Sequence, residues 1–449
     1  MAVIESYALT DVGQQRDHNE DSHGLIPELN LFVVADGMGG HAAGEVASAM
    51  AVEEIKKVVL SNEDQIRKFE SGDPDVSKFD ILMLLEQAVQ SACLAIFREA
   101  QNDSAKRGMG TTCDALLIIN DRGYVVHVGD SRVYMLRQGK VHQLTTDHSL
   151  MNELVKRGKF TKEEFLASPY AEQKNALTRA VGVYESIESD TFDFPVLPGD
   201  NFLLCSDGLS AYLDDIIIDE TFRDENLQSV AQSFIDTANR GGGHDNITAV
   251  LVRMPMEGDV QDAINKAAEI SLSMDVLHTI KIFKHLQYQE LVLVHSYTEL
   301  RSYPPGSVIV TQGEMGDELF IIVRGKVRVE SDGKLITHLS DRTHFGEMAL
   351  VDREPRSATV IAESTTKVLI LKKKDFYKII RTEHALATKL LWSFIEELTT
   401  KLRNTTVQLK DLRVAEDLDF EEELDLVEEP EDASAKEKTI DITPPIPEN

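Results

Sequence analysis

The segment LFVVADG, residues 31–37, decides how the first half of this chain folds. Its apolar and β-branched residues are typical of a buried strand, which stops at an aspartate followed by glycine. Residues 44–60 and 81–101 place apolar residues at i, i+3 and i+4, as amphipathic helices do. Strands that alternate with long helices predict an α+β sandwich. Four further runs have the same strand character: DALLIIND (114–121), GYVVHVGDS (123–131), NFLLCSDG (201–208) and NITAVLVR (246–253).

Composition limits the classes of protein that fit this chain. Its 449 residues include 46 basic and 77 acidic side chains, a formal net charge of −31, which disfavours binding to nucleic acid. A chain of this length predicts two or three domains. There is no long apolar run and no basic N-terminal segment, so the sequence predicts no membrane insertion and a cytoplasmic location. Three cysteines form no C-x-x-C pair, and their odd number disfavours a disulfide framework.

The second half of the chain has a different pattern. Residues 260–286 have helical periodicity and are predicted to link two domains. From about Leu300, short β-rich runs alternate with glycine-containing turns, which is typical of a barrel or roll. A long amphipathic helix is predicted from about Glu383 to Arg413, and the strongly acidic tail after it is predicted to be disordered. The predicted divisions of the chain are 1–255, 256–285, 286–413 and 414–449.

Four aspartates stand at the ends of the predicted strands. Asp36, Asp130 and Asp207 each follow an apolar run, and Asp245 precedes one. A single aspartate of this kind is typical of a turn, but four in one domain indicate strand ends that converge on a shared site. Clustered carboxylates repel each other and take up protons unless a cation neutralises them. Oxygen ligands without cysteine and with few histidines favour Mg²⁺ or Mn²⁺ over Zn²⁺.

Seven short motifs resemble one known family. Together they are similar to the metal-dependent protein serine/threonine phosphatases of type 2C in their bacterial form, over residues 5–254. The resemblance implies a four-layer α/β/β/α sandwich that hydrolyses phosphoserine and phosphothreonine in proteins, with two or three Mg²⁺ or Mn²⁺ ions. In chain order the motifs are DVGQQRDHNEDS (11–22), ADGMGGH (35–41), GMGTT (108–112), VGDSRVY (128–134), LTRAVG (177–182), LLCSDGLS (203–210) and GGHDNIT (242–248).

The same resemblance implies roles for individual residues. Asp36 is expected to bridge two metal ions, which activate water for attack on phosphorus. Glu20 and Asp21 are expected to act on the ions through water, and Asp130 to contribute to a third, weaker site. Arg16 is expected to bind the substrate phosphate. The implied metal site is Asp36, Gly37 (by its main-chain carbonyl), Asp207, Asp245, Asp130, Glu20 and Asp21, and the implied catalytic set is Arg16, Asp36, Asp207 and Asp245.

Other phosphatase chemistries are disfavoured. No cysteine is followed by an arginine after five intervening residues, as thiolate chemistry requires, and the Asp-x-Asp at 417–419 lies in the acidic tail. Met38 stands where eukaryotic relatives often have the histidine assigned as general acid. Water in the site is the simplest source of the leaving-group proton, with His41 and His244 as alternatives. Residues 149–175 stand where the family has a mobile flap.

A second recognisable segment is HFGEMALVDREPRSATV, residues 344–360. It resembles the phosphate-binding cassette of cyclic nucleotide-binding domains, and the turns before it match the β-roll of that family, so that the resemblance covers about residues 272–400. An arginine fork pairs well with a phosphate, and a carboxylate can accept from a ribose hydroxyl. The implied nucleotide site is Gly346, Glu347 (2′-hydroxyl), Ala349, Arg356 (cyclic phosphate) and Ser357.

The base is less well specified than the phosphate. In this family a threonine directly after the arginine favours guanine, whereas alanine is typical of cAMP sites. Ser357 has the hydroxyl without the methyl group, and we favour cAMP over cGMP. Trp392 lies on the predicted helix after the roll, where a residue commonly caps the base, although packing against the roll is the more usual role of such an aromatic. No helix-turn-helix follows, which disfavours a DNA-binding regulator.

The sequence thus predicts a protein serine/threonine phosphatase regulated by a cyclic nucleotide, with a phosphoprotein and the nucleotide as its partners. Two alternatives stay open. In the first, the nucleotide domain serves only for docking or dimerisation, with the helix at 383–413 pairing in a homodimer. In the second, the phosphatase fold is a non-catalytic scaffold that binds phosphoproteins. The direction of regulation cannot be read from the sequence.

Overall fold

The computed structural model describes residues 4–39, 43–256 and 260–424. Residues 5–253 contain two antiparallel sheets. The strands are β1 (Glu5–Asp11), β2 (Asp21–Ile26), β3 (Leu31–Met38), β4 (Gly110–Thr111), β5 (Cys113–Ile119), β6 (Arg122–Val128), β7 (Arg132–Arg137), β8 (Lys140–Gln143), β9 (Asp190–Pro195), β10 (Asn201–Cys205) and β11 (Ile247–Arg253). One sheet has the order β1–β11–β10–β7–β8, and the other has the order β2–β3–β5–β6–β9, with β4 paired to β3.

Helices cover the outer face of each sheet. Helices α1 and α3 pack on the six-stranded sheet, and α8 packs on the five-stranded sheet. A capping box fixes the start of α3, where the Ser77 backbone N–H donates to Asp80 at 2.7 Å. The helices are α1 (Ala43–Ser61), α2 (Glu63–Glu70), α3 (Lys78–Asn102), α4 (Leu150–Lys156), α5 (Lys162–Leu166), α6 (Asp207–Ser210), α7 (Asp215–Thr221) and α8 (Leu227–Arg240).

Alternation along the strands explains the four layers. In β3, Leu31 and Val33 belong to the core beneath α1 and α3, whereas Phe32 between them is buried on the opposite face. Phe194 in the six-stranded sheet and Phe202 in the five-stranded sheet lie with ring centroids 5.8 Å apart. The inner faces of the sheets therefore pack on each other, and the predicted α/β/β/α sandwich is confirmed.

Two helices, α9 (Val260–Thr279) and α10 (Tyr288–Ser296), follow the sandwich. The periodicity of the sequence predicts α9 but not α10, whose apolar residues 291–294 form a continuous run. Such a run does not distinguish a helix from a strand. A capping box fixes the start of α10, where the Gln287 backbone N–H donates to Glu290 at 2.8 Å.

Residues 298–372 form the predicted β-roll. Two four-stranded antiparallel sheets, β12–β19–β14–β17 and β13–β18–β15–β16, enclose a small apolar core that includes Phe320, Ile322 and Phe345. The elements are β12 (Thr298–Tyr303), β13 (Val308–Val310), β14 (Glu318–Arg324), β15 (Lys326–Ser331), β16 (Lys334–Ser340), β17 (His344–Phe345), α11 (Met348–Val351), β18 (Thr359–Ala362), β19 (Thr366–Lys372) and α12 (Lys373–Thr382).

The described residues form two compact units, divided between Lys389 and Leu390. Helix α13 (His384–Leu424) supplies all the described residues of the second unit. The sequence predicts that this helix ends near Arg413, but it continues to Leu424. Alanine, glutamate and leucine in residues 414–424 are strong helix formers, which accounts for the extension. The remainder of the predicted acidic tail, residues 425–449, lies outside the described residues.

Among the described helices, only α3 is long and apolar enough, by length and composition, to cross a membrane. In this structure it is a core helix. Nine of its residues are buried, and Leu85, Ala92 and Ile96 belong to the apolar core that α3 shares with α1 and the six-stranded sheet.

Candidate active site and nucleotide site

The aspartates at the strand ends line one cavity of about 660 Å³. Asp36 lies near the end of β3, Asp130 follows β6, Asp207 begins α6 just beyond β10, and Asp245 precedes β11. The convergence that the sequence predicts is therefore present in the fold. The predicted site residues that line this cavity are Arg16, Glu20, Asp36, Gly37, Asp130, Asp207 and Asp245.

Burial and mutual repulsion raise the pKa values of these acids. Burial raises the pKa of Asp36 well above its usual range, and the charges of Asp21 and Asp207 raise it further. Burial and then Asp207 raise the pKa of Asp130 to about 7. The site thus carries more negative charge than is stable without a counter-ion. The pKa is also raised, chiefly by burial, in two further acids, Asp207 and Glu20.

Asp21 lies buried behind the cavity. Its Oδ2 accepts hydrogen bonds from the hydroxyls of Ser206 at 2.7 Å and Thr248 at 2.6 Å. Burial raises its pKa to about 6, although these two hydrogen bonds oppose that change. The two donors therefore orient the carboxyl group of Asp21.

The residues present fit a hard divalent cation. Oδ1 of Asp207 and Oδ1 of Asp21 are both buried and have no hydrogen-bond partner among the described residues. Carboxylate and carbonyl oxygens are the ligands that Mg²⁺ and Mn²⁺ prefer. Within residues 4–39, 43–256 and 260–424, no three His, Cys, Asp or Glu side chains are gathered closely enough to enclose an ion by themselves. The Gly37 carbonyl and water would therefore have to complete the coordination.

Hydroxyl groups fix the backbone of Asp36. Its N–H donates to Thr112 Oγ1 at 2.9 Å, and its carbonyl accepts from Thr111 Oγ1 at 2.9 Å. Thr112 Oγ1 also lies 2.7 Å from Ser131 Oγ, next to Asp130. The GMGTT motif therefore connects the two aspartates, a role that the motif alone does not reveal.

Close backbone approach explains Gly37. A Cβ atom there would lie 2.1 Å from the carbonyl oxygen of Gly44 and 2.5 Å from that of Glu20. The Gly37 N–H donates to the Glu20 carbonyl at 3.1 Å, which joins β3 to the loop before β2. No side chain fits at this position without displacing the loop that carries Glu20.

Asn246 is a positioning residue that the sequence reasoning missed. It is 4% exposed, and its Oδ1 accepts from the Glu20 N–H at 2.8 Å. Its Nδ2 donates to the carbonyls of His18 at 2.8 Å and Val12 at 3.0 Å. The side-chain amide of Asn246 thus binds the loop that contains Arg16 on both sides of that residue. Its place directly after Asp245 is the only signal in the sequence.

Arg16 lies at the mouth of the cavity. Its Nη2 donates to Asp245 Oδ2 at 2.7 Å, and its Nε donates to the His244 carbonyl at 3.4 Å. Half of the Arg16 side chain is exposed, so the guanidinium is free to turn toward an incoming anion. In this structure a carboxylate occupies the place where the sequence predicts a phosphate.

The remaining predicted elements of the active site are placed as follows. Met38 lines the cavity, as does His18, which the sequence reasoning did not consider, whereas His41 lies outside the described residues. Asn175, at the end of the predicted flap, also lines the cavity. Helices α4 and α5 lie within that flap. Cys205 ends β10, two residues before Asp207, and is fully buried.

The predicted nucleotide residues surround Arg356. Its Nη2 donates to the Glu318 carbonyl at 3.0 Å and lies 3.3 Å from Glu318 Oε2. Its Nη1 donates to the Gly346 carbonyl at 3.4 Å, and the guanidinium lies 5.6 Å from the centre of the Phe320 ring. Gly346 has φ = 79°, and a Cβ there would meet Nη1 at 2.6 Å. Arg356 is therefore buried and paired with a carboxylate.

The other cassette residues differ in exposure. Glu347 is 7% exposed and lies at the start of α11, and Ala349 is also buried. The Ala349 N–H donates to the Gly346 carbonyl at 3.3 Å, so this predicted phosphate donor is engaged within its own turn. Ser357 is exposed. Trp392 is 60% exposed, and its indole N–H donates to Glu396 at 3.1 Å on the same helix, so the capping of a base by Trp392 stays a prediction.

Comparisons with known proteins agree with this geometry. Residues 13–254 match the family model Protein phosphatase 2C, and residues 300–383 match the Cyclic nucleotide-binding domain. The chain is 37% identical over 258 residues to serine/threonine phosphatase stp of Listeria innocua, covering 57% of this chain and 97% of that protein. Protein phosphatase PhpP of Streptococcus pneumoniae is 36% identical over 262 residues, covering 57% of this chain and 99% of PhpP.

Solved structures of phosphatases are similar to this chain over a comparable share of its length. The Mycobacterium tuberculosis phosphatase PstP/Ppp is 35% identical, covering 57% of this chain and all of that chain, with a TM-score of 0.48. A catalytic domain of PstP solved in complex with two manganese ions is 35% identical, covering 56% of this chain and 99% of that one, with a TM-score of 0.47. The first matched region spans more than half of the chain, and the acids of the cavity lie within it. The chain therefore belongs to the protein phosphatase 2C family of metal-dependent serine/threonine phosphatases, with a cyclic nucleotide-binding domain after the phosphatase domain.

Proposed function

We propose that this phosphatase works with two Mg²⁺ or Mn²⁺ ions held by Asp36, the Gly37 carbonyl, Asp207 and Asp245. Glu20 and Asp21 act from behind, and Asp130 contributes to a third site. The observation that carries the proposal is the cavity lined by acids with raised pKa values, in which one oxygen of Asp207 is buried without a partner. Such a group of acids holds protons at neutral pH unless a cation lies among them.

The chemistry then divides between the ions and the side chains. Ions held there would supply positive charge to the phosphate and would lower the pKa of water, as needed for its attack on phosphorus at neutral pH. Arg16 leaves Asp245 and binds two phosphate oxygens, which orients the ester. Met38 has no proton to donate, so water in the open cavity protonates the departing serine or threonine oxygen.

We further propose that the second domain binds a cyclic nucleotide, with cAMP favoured over cGMP, and that the nucleotide regulates the phosphatase. Arg356 would exchange Glu318 for the cyclic phosphate, and Glu347 would accept from the 2′-hydroxyl. The buried guanidinium, which the Gly346 backbone approaches closely, supports this assignment. The proposed divisions of the chain are those predicted from the sequence, except that the last helix extends to Leu424. The proposed location is the cytoplasm, since the three cysteines are free thiols.

The direct test is Mn²⁺-dependent hydrolysis of a phosphothreonine peptide by the full chain, with cAMP, cGMP or AMP present at saturation. We expect turnover that requires the metal and that changes about 5- to 150-fold with cAMP, the range of typical allosteric coupling energies. AMP, which lacks the cyclic phosphate, is the control and should have no effect.

Other outcomes separate the alternatives. Turnover that is indifferent to both cyclic nucleotides would leave the second domain as a docking or dimerisation module. Absence of turnover with Mg²⁺ and with Mn²⁺ would contradict the proposed enzyme mechanism and would favour a phosphoprotein-binding scaffold.

A homodimer through α13 is also proposed. Four exposed apolar residues on this helix are spaced by four, three and four positions, which is the heptad pattern of a coiled coil. A second copy of the same helix is the occupant that such a seam fits. The residues are Leu391 (48% exposed), Ile395 (57%), Leu398 (40%) and Leu402 (68%).

We expect the pair of substitutions Ile395→Asp and Leu398→Asp to convert the full chain from dimer to monomer, because each charge would be desolvated in the seam. Light scattering measures the mass. Val407→Asp, also on an exposed residue of α13 but outside the heptad positions, is the matched control and should remain a dimer. A wild-type chain that is a monomer at micromolar concentration would refute this proposal.

A further inference from the structure

The helices between the two domains contact the phosphatase domain at β8 and at residues 144–146. The His142 and Tyr288 rings lie with their centroids 4.6 Å apart, and Lys140 forms an ion pair with Asp275. A cavity of about 270 Å³ lies in the same contact and is lined by residues of β8, α9 and α10. The contact therefore includes an aromatic pair, an ion pair and a cavity between the two sides.

Two glutamines at the start of α10 bind the segment after β8. The Thr146 hydroxyl donates to Gln287 Oε1 at 2.7 Å, and Gln289 Nε2 donates to the Leu144 carbonyl. These hydrogen bonds hold the Thr146 side chain and the Leu144 main-chain carbonyl, both within the three-residue segment 144–146. The position of α10 and the position of residues 144–146 are therefore linked.

The same segment is held on its inner side by a buried histidine. His127 Nε2 lies 3.1 Å from the Thr146 carbonyl, and its Nδ1 lies 2.6 Å from Asp114 Oδ1. A carbonyl only accepts, so Nε2 carries a proton and donates it. His127 and Asp114 are both fully buried. Thr146 thus lies between a buried internal pair and the side chain of Gln287.

The next two residues position the loop that carries Asp130. Asp147 accepts two hydrogen bonds from Arg132, at 2.8 and 2.7 Å. The His148 N–H donates to the Gly129 carbonyl at 2.7 Å, and the Gly129 N–H donates to His148 Nδ1 at 3.1 Å. Residues 147 and 148 therefore hold both sides of Asp130, and residue 149 begins the predicted flap.

Helices α9 and α10 also contact the β-roll and the helix that follows it. Glu290 accepts the Gln287 N–H, and the same carboxylate accepts from Lys389 Nζ at 2.7 and 2.8 Å. Glu269 of α9 pairs with Lys367 of β19. A displacement of Lys389 therefore acts on the capping box that places Gln287.

We propose that Gln287 and Gln289 are positioning residues for the Asp130 end of the active site, acting through Thr146. The inference rests on the proposed function, in which Asp130 contributes to metal binding and the nucleotide regulates turnover. Neither glutamine lines the active-site cavity. Both set the position of residues 144–148, and through them the loop at 129–132.

The first test replaces both glutamines in the full chain, Gln287→Ala with Gln289→Ala. We expect the nucleotide dissociation constant to stay within about 2-fold of wild type, while the response of kcat/KM to nucleotide falls below about 2-fold. The Mn²⁺ concentration for half-maximal activity should rise about 10-fold, as is typical when residues that orient metal ligands are lost. Gln228→Ala, on an exposed glutamine of α8, is the control.

The second test isolates one hydrogen bond. Thr146→Val removes the hydroxyl but keeps the carbonyl that His127 binds, and it should reproduce the higher Mn²⁺ requirement. Thr146→Ser keeps the hydroxyl but lacks the methyl group, and it should have the wild-type Mn²⁺ requirement. If the methyl group rather than the hydroxyl positioned this segment, the serine variant would need more Mn²⁺ instead. Hydrogen exchange should be faster at residues 144–150 in the valine variant.

The outcomes separate this inference from the function on which it rests. If the wild type does not respond to nucleotide, the proposed regulation fails, and the Mn²⁺ requirement of the variants still decides the positioning role. An unchanged Mn²⁺ requirement in both the double variant and Thr146→Val would overturn the inference. So would a nucleotide response that persists in full in the double variant.

Discussion

Asp36→Asn is expected to lower kcat/KM for a phosphothreonine peptide about 1000-fold, the loss typical of removing a group that stabilises the transition state directly. Asp36 is the carboxylate whose pKa is raised by four other acids of the site, so a shared cation would interact with it most strongly. An amide retains the shape but not the charge that holds the cation. Steady-state kinetics over a range of Mn²⁺ concentrations measure the effect.

The same variant should not be less stable than the wild type without metal. A carboxyl group whose pKa is raised on folding binds more protons in the folded state. It therefore destabilises the fold once the pH rises above the pKa that the group has in the unfolded state. Asparagine removes that penalty. We therefore expect the metal-free Asp36→Asn protein to have a Tm equal to or above that of wild type at pH 8, with a smaller difference at pH 5. A lower Tm at pH 8 together with normal activity would contradict the role given to Asp36.

Arg356→Ala is expected to weaken cyclic nucleotide binding at least about 100-fold, since a buried charge-assisted hydrogen-bonding pair with the phosphate is lost. The substitution also removes the cation that pairs with the Glu318 carboxylate. Calorimetric titration with cAMP and cGMP measures the change. Arg356→Lys keeps the charge but not the fork, and it should fall between alanine and wild type.

Arg353→Ala is the matched control for the nucleotide site. Arg353 lies three residues earlier in the same segment and is exposed, so its loss should change the dissociation constant by less than about 3-fold, as a surface charge does. Nucleotide binding that survives Arg356→Ala with similar affinity would remove the basis for the cassette assignment. The Tm of each variant shows whether the β-roll stays folded.

Short-range patterns in the sequence predicted most of the architecture. Apolar runs at β3 and β10, each with an aspartate at or just beyond its end, and the helical periodicity between the strands were enough to predict the sandwich and the convergence of Asp36 and Asp207. The family matches confirm the fold and the enzyme class. The roles given to individual site residues remain predictions.

Contacts between distant parts of the chain could not be predicted in this way. Asn246 binds the loop before β2 from more than 200 positions away, and Thr112 fixes the backbone of Asp36 through a single hydroxyl. Gln287 and Thr146 show no periodicity or motif that would connect them. Polar residues of these types are common in loops, so only the folded geometry distinguishes the ones that position a site.

The burial of the three cysteines has a consequence for the conditions under which this enzyme can work. Burial raises the pKa of the Cys93, Cys113 and Cys205 thiols, so almost none is present as the reactive thiolate. Peroxide and electrophiles attack thiolates, and the proposed mechanism uses none. Phosphatases that depend on a catalytic thiolate lose activity under oxidants, whereas this chain should continue to remove phosphate. Under the proposed function, its rate of dephosphorylation would then depend on the concentrations of metal ion and cyclic nucleotide rather than on redox state.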